Sequence, residues 1–151
     1  MERKSNAEFR DELEMRTRAF ASAVFKYLDA LPVKTSTKVI ALQLGKAASS
    51  IGANYREANR AESRIDFGHK LQIALKEAAE SCYWMEILTD IYPSHDTLTQ
   101  LYDECMRLRN LLQSIAKSVR SKQPQQPQQP QTTPNNPNNP NNPNNPNTSP
   151  P

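Results

Sequence analysis

Hydrophobic residues recur along the first 122 positions at the spacing of helices, not of strands. Phe9, Leu13, Phe20, Val24, Tyr27, Leu28 and Leu31 stay within a stripe roughly 100° wide when each residue turns the chain by about 100°. This predicts an amphipathic helix. Ser5 followed by Glu8 has the form of a capping box, and Leu31-Pro32 ends the segment. A second helix is predicted from the Thr35-Ser36-Thr37 cluster, any of which can be the N-cap. It carries Ile40, Leu44, Ala47, Ile51, Tyr55 and Ala58 on one face and ends near Arg60 to Glu62. Ser63 and Asp66 offer caps for a third helix, whose core line of Phe67, Leu71, Ala74, Ala78, Cys82 and Met85 runs on to Tyr92 before Pro93 breaks it. Asp96 or Thr97 caps the fourth. There Leu98, Leu101, Cys105, Leu108, Leu112, Ile115 and Val119 alternate gaps of three and four, the seam of near-parallel packed helices.

Four such helices, each of about 25 residues and joined by short connections, predict an all-α, antiparallel up-down-up-down four-helix bundle. Composition sets its limits at residues 1–122. Every Lys, Arg, Asp and Glu and every apolar residue lies there, so the 36% apolar share of the whole chain rises to about 45% within it, a normal globular balance. Residues 123–151 hold all of the 12 prolines except Pro32 and Pro93, in repeats of Gln-Gln-Pro and Asn-Asn-Pro. Proline at every third position fixes φ and removes donors, which predicts a disordered, extended Pro/Asn/Gln-rich tail. No apolar run approaches the roughly 20 residues that span a bilayer, and the N-terminus has no apolar leader segment. A cytoplasmic location without membrane contact is therefore expected. In that reducing compartment Cys82 and Cys105 are expected to be small buried hydrophobes.

Charge adds a candidate surface. The chain carries +3, yet Lys34 to Arg64 alone balances at +4, and the remainder at −1. Lys38, Lys46, Arg56, Arg60 and Arg64 fall within an arc of roughly 80° opposite the apolar stripe if the second helix continues to Arg64. Such a ridge can follow a phosphate backbone, with counterion release and forked arginine contacts as the driving terms. A merely solvated outer face has the same composition. On the third helix, Ile73, Trp84, Ile87, Leu88 and Ile91 form a second apolar line with Glu77 and Glu80 between them. That line is a candidate subunit or partner interface, the alternative being a broad core face within one bundle.

Chemistry is not indicated. Glu77 and Glu80 stand one turn apart, but a di-metal bundle needs two Glu-x-x-His pairs and the chain has only His69 and His95, so no metal and no cofactor is expected. Ion pairs from these glutamates to Lys or Arg of the second helix or of a neighbour are the expected use. No nucleophile elbow, Gly-rich phosphate loop or Cys/His nucleophile arrangement occurs, and no enzyme is expected.

The strings Gln43 to Glu57 (QLGKAASSIGANYRE), Asp66-Phe67 and Ile73 to Trp84 (IALKEAAESCYW) are more specific than bundle grammar. With their S-I-x-A-N-x-x-E and E-x-x-E-x-x-Y-W turns, they resemble the bacterial four-helix bundle proteins first noticed as open reading frames in intervening sequences of large-subunit ribosomal RNA genes. The resemblance covers about residues 7–120 and departs from the family's usual R-S-A-x-S-I at Lys46-Ala47-Ala48-Ser49-Ser50-Ile51. It implies a homo-oligomer, a pentamer ring, with no known catalytic activity. The fold is also similar to that of accessory proteins of diversity-generating retroelements, which implies RNA or DNA held on a basic outer surface and a reverse transcriptase as protein partner. Carried onto this chain, the basic positions are the ridge of the second helix, and Glu77, Glu80 and Trp84 support bundle or subunit packing.

Overall fold

Helix ends in this chain fall where side chains or turns can satisfy the orphan backbone groups. The structure, a computed structural model, describes residues 5–93 and 96–121. Four helices occupy them: α1 (Asn6–Asp29), α2 (Thr35–Ala58), α3 (Arg64–Ile91) and α4 (Asp96–Ser121). Among the described residues there is no strand. The tail expected from residue 123 onward lies outside the described residues.

The capping box of α1 forms as expected. Glu8 N–H donates to Ser5 Oγ at 3.2 Å, and Ser5 N–H donates to Glu8 Oε2 at 2.8 Å. Ser63 caps α3 by accepting from Asp66 N–H at 3.1 Å. At α2 the cap is one residue earlier than the Thr/Ser cluster. Lys34 occupies the N-cap position, and Thr37 Oγ1 reaches back to accept Lys34 N–H at 2.8 Å while donating to Pro32 C=O at 2.6 Å. The α2 terminus also differs. Asn59, Arg60 and Ala61 N–H turn onto the carbonyls of Tyr55, Glu57 and Ala58, so the helix stops at Ala58, before the predicted Arg60–Glu62. The helix α4 begins at Asp96, so Asp96 and Thr97, the expected caps, lie in its first turn.

The helices form a closed ring of neighbours: α1 against α2, α2 against α3, α3 against α4 and α4 against α1, with no diagonal packing. The α2–α3 interface is the most extensive and α1–α4 the slightest. Inside lie Leu13, Phe20 and Val24 of α1 with every residue of the predicted α2 stripe. Leu71, Ala74, Ala78, Cys82, Met85 and Leu88 of α3 meet them, with Leu98, Leu101, Cys105, Leu108 and Leu112 of α4. Thr17 is also fully buried, which hydrophobicity alone does not anticipate; its hydroxyl donates to the Leu13 carbonyl at 2.9 Å and so brings no unsatisfied group into the core. The slight α1–α4 seam is fastened by a fork, Arg16 Nε and Nη2 on the two Glu104 carboxylate oxygens at 2.6 and 3.0 Å.

Two glycines let α1 lie close on α2. A Cβ on Gly52 would stand 3.0 Å from Thr17 Oγ1, and one on Gly45 would stand 2.8 Å from Phe25 Cε1. The two sites differ in what can yield. Thr17 is buried and tethered to its own helix, whereas the Phe25 ring is 46% exposed and free to swing outward. Gly45→Ala is therefore expected to be neutral or stabilising by up to about 1 kcal/mol through helix propensity. Gly52→Leu is expected to destabilise by about 1–3 kcal/mol through overpacking. Urea denaturation followed by circular dichroism checks both; equal midpoints for the two variants would contradict the packing described.

Candidate nucleic-acid interface

Helix α2 turns Lys38, Lys46 and Arg56 outward because its opposite face, from Ile40 to Ala58, fills the core. All five basic residues of the predicted ridge are exposed. They do not share one helix. Arg60 sits in the turn after α2, and Arg64 is the first residue of α3, so the ridge that a longer α2 would have made straight bends into the α2–α3 connection. Arg60 Nη1 donates to the Arg56 carbonyl at 2.9 Å, closing the C-terminal end of α2, where a cation suits the helix dipole. Arg10, Asn59, Ser63, Arg64 and Phe67 line an open pocket of about 430 Å³ beside this turn.

Part of the ridge's charge is answered within the bundle. Glu14 of α1 accepts from Arg56 Nε at 3.1 Å and from Asn59 Nδ2 at 2.9 Å, and stands 3.7 Å from Arg60 Nη1. The Asn59 hydrogen bond, helped by Arg56 and Arg60 against desolvation, holds the Glu14 carboxyl below its ordinary range. Sequence spacing gave no sign of this partner, which stands more than 40 residues away in the chain and is brought in by the α1–α2 packing.

Apolar side chains also interrupt the ridge. Leu42 is 69% exposed and Val39 52%, both on the outer face with Lys38 and Lys46, and the exposed Phe25 of α1 lies over Gly45 nearby. The signal was present in the sequence, since Leu42 is one helical turn from each of the two lysines. Between Lys76 and Arg107, a stretch that takes in the second half of α3 and the first turns of α4, the sequence has Asp and Glu but no Lys or Arg.

The second apolar line of α3 is a shoulder of the core. Leu88 is fully buried and belongs to the core itself, which corrects its placement in an outward stripe: it falls on the same side of α3 as Met85. Trp84 and Ile87 are half-buried and pack on the core's flank; Ile73 is half-buried, and Ile91 is 42% exposed. Tyr83, absent from the predicted line, is 55% exposed and meets Trp84 edge-on at 5.3 Å. The ion pairs expected of Glu77 and Glu80 are not formed among the described residues; Glu80 Oε1 instead accepts from Trp84 Nε1 at 3.3 Å, the i,i+4 partner of the same helix. Glu57 of α2 takes the inter-helix pair, with Lys70 Nζ at 2.7 Å. His69 is exposed, and His95 lies outside the described residues. No group of three or more His, Cys, Asp and Glu converges among the described residues, and no described helix is long and apolar enough to cross a membrane.

Residues 10–114, from the first turns of α1 well into α4, match the family described as 23S rRNA-intervening sequence protein. A solved structure from Bacteroides thetaiotaomicron VPI-5482, a protein of unknown function from the S23 ribosomal protein family, is 34% identical. The match covers 72% of this chain and 97% of that one with a TM-score of 0.64. No curated protein matches. The strings in α2 and α3 that set this chain apart from other bundles lie inside the matched region, and the four-helix fold agrees with it: the chain belongs to the 23S rRNA-intervening sequence protein family.

Proposed function

We propose that the chain is a non-enzymatic, homo-oligomeric scaffold that holds structured RNA or DNA by electrostatics. The observation that carries this reading is the exposed basic track of Lys38, Lys46, Arg56, Arg60 and Arg64, within a stretch from Lys34 to Arg64 that balances at +4. Lysines and arginines on such a track contact phosphates and leave base identity unread. Subunits would meet along the outer edge of α3, through Ile73, Trp84, Ile87 and Ile91, where apolar area remains in water beside the core. The resemblance to retroelement accessory proteins supports a pentamer, and an enzyme such as a reverse transcriptase as the client of the held nucleic acid.

Leu42, Val39 and Phe25 favour a second reading. Phosphate makes no use of exposed apolar side chains, whereas a protein partner does, and on that reading the lysines around them frame a protein contact without a direct nucleic-acid role.

Reversing Lys38, Lys46 and Arg64 to Glu leaves the Glu14 pairs untouched. Fluorescence anisotropy with a hairpin RNA and a duplex DNA between about 50 and 200 mM salt is expected to show affinity lowered at least tenfold. The slope of log affinity against log salt should shrink by about 3 on duplex DNA. Unchanged binding would remove the track from the reading; no binding by the parent chain at the low-salt end would leave the protein-contact reading.

Glu14→Gln is expected to act in two opposed ways. It frees Arg56 and Arg60, so nucleic-acid affinity rises, while the bundle becomes less stable at neutral pH. Because the folded-state pKa of Glu14 lies below its ordinary value of 4.5, its contribution is complete above that value and is lost as pH falls through the folded-state pKa. Parent and variant should therefore differ in urea midpoint at pH 7 and converge in acid; a constant difference across that range would show that the carboxylate is not the cause.

Ile91→Glu changes an exposed residue that adds little to the single bundle, and light scattering is expected to show a smaller assembly. An unchanged mass would exclude the α3 edge as the subunit contact.

A further inference from the structure

The Cys82 sulfur of α3 has two sulfur neighbours on α4, a thiol and a thioether. Cys82 Sγ lies 3.1 Å from Cys105 Sγ and 3.7 Å from Met106 Sδ, and the two thiols are free. Cys82 and Cys105 are buried, at 2% and 0% exposure, while Met106 is half-buried and sits on the solvent side of the pair. A core packing only for volume has no need to converge its sulfurs, and a disulfide would use two of them and leave the thioether idle. Thiolate and thioether together are the donor set of a soft, monovalent d10 cation.

We propose that Cys82, Cys105 and Met106 form a binding site for Cu(I). Sulfur ligands about 2.3 Å from a metal stand roughly 4 Å apart in a trigonal arrangement, so the Cys82–Met106 spacing is already close to the requirement. The thiol pair must open by about 1 Å on binding. On binding, each thiol releases one proton to solvent, two Cu–thiolate bonds and one Cu–thioether bond form, and no electron is transferred. The site then carries one net negative charge. Arg109, half-buried one turn beyond Cys105 on α4, is the nearest cation along that helix to the two thiolates formed. Met106 offers the entering ion its first ligand at the edge of the seam and is then the weakest of the three.

The test uses the full chain, reduced and kept free of oxygen, titrated with Cu(I) in the presence of bicinchoninate. One Cu(I) per chain should be retained against the chelator. Cys82→Ser and Cys105→Ser should each reduce the retained metal at least tenfold, and Met106→Leu should weaken the affinity roughly tenfold while keeping the stoichiometry. Should a serine variant fail to fold, the parent chain supplies its own control. Loading should protect both thiols from a thiol-reactive disulfide reagent in a single one-equivalent step. Loss of all metal to the chelator, metal retained unchanged by the folded serine variants, or thiols that react equally fast with and without Cu(I) would each overturn the site.

Discussion

The absence of a side chain at Gly52 governs more of this molecule than any single contact. With hydrogen in place of Cβ, α2 accepts the buried Thr17 of α1 against its backbone, and the antiparallel register of the two helices is set. That register carries Phe25 to Gly45 at one end and Glu14 to Arg56 and Asn59 at the other. The electrostatic character of the basic face therefore follows from a packing decision made one turn away. If α1 were shifted along α2 by a single turn, Glu14 would leave Arg56, and the two arginines at the α2 terminus would stand without a counter-charge.

Burial and charge divide the helices in different ways. In α2 the core face is largely small and aliphatic, with Tyr55 among them, and the outer face carries Lys38, Lys46 and Arg56 together with the exposed Leu42 and Val39. In α3 the apolar surface is wider than the core needs. Leu88 enters the core, Trp84 and Ile87 cover its flank, and Ile91 and Tyr83 remain in water. The Trp84–Glu80 hydrogen bond satisfies the indole N–H within the helix, so the ring covers the core without carrying an unpaired donor into it. Glu80 thus serves a local purpose, and the E-x-x-E-x-x-Y-W turn reads as a helix stabilising its own aromatic edge.

Much of the architecture could be read from the chain because its signals are local. The periodicity of α4, the Ser5–Glu8 box, the Ser63 cap and the breaks at Pro32 and Pro93 each depend on residues within a few positions of one another. The differences arise where local choices are nearly equivalent or where a partner is distant. Thr37 reaches back from the third helical position to the Lys34 N–H, so the N-cap moves to Lys34 and the helix starts at Thr35. The end of α2 depends on the turn into α3, and that turn decides whether Arg60 and Arg64 extend one ridge or flank a corner. Neither the Glu14 pairs nor the sulfur neighbours of Cys82 could be read in advance, since both need the lateral register of neighbouring helices, to which a helical wheel is blind.

The ring of helix neighbours has a kinetic meaning. Three of its four seams join helices that are consecutive in the chain, while the α1–α4 seam alone brings the two ends of the bundle together. The entropic cost of closing a long loop falls on the slightest interface, where the Arg16–Glu104 fork adds to the packing of the core. Formation of the bundle is then a succession of local hairpins followed by a single long-range closure, an order that keeps contact order low and folding fast. The same seam is the natural first breach: α1 can swing away there while the large α2–α3 interface and the sulfur-lined α3–α4 seam stay intact.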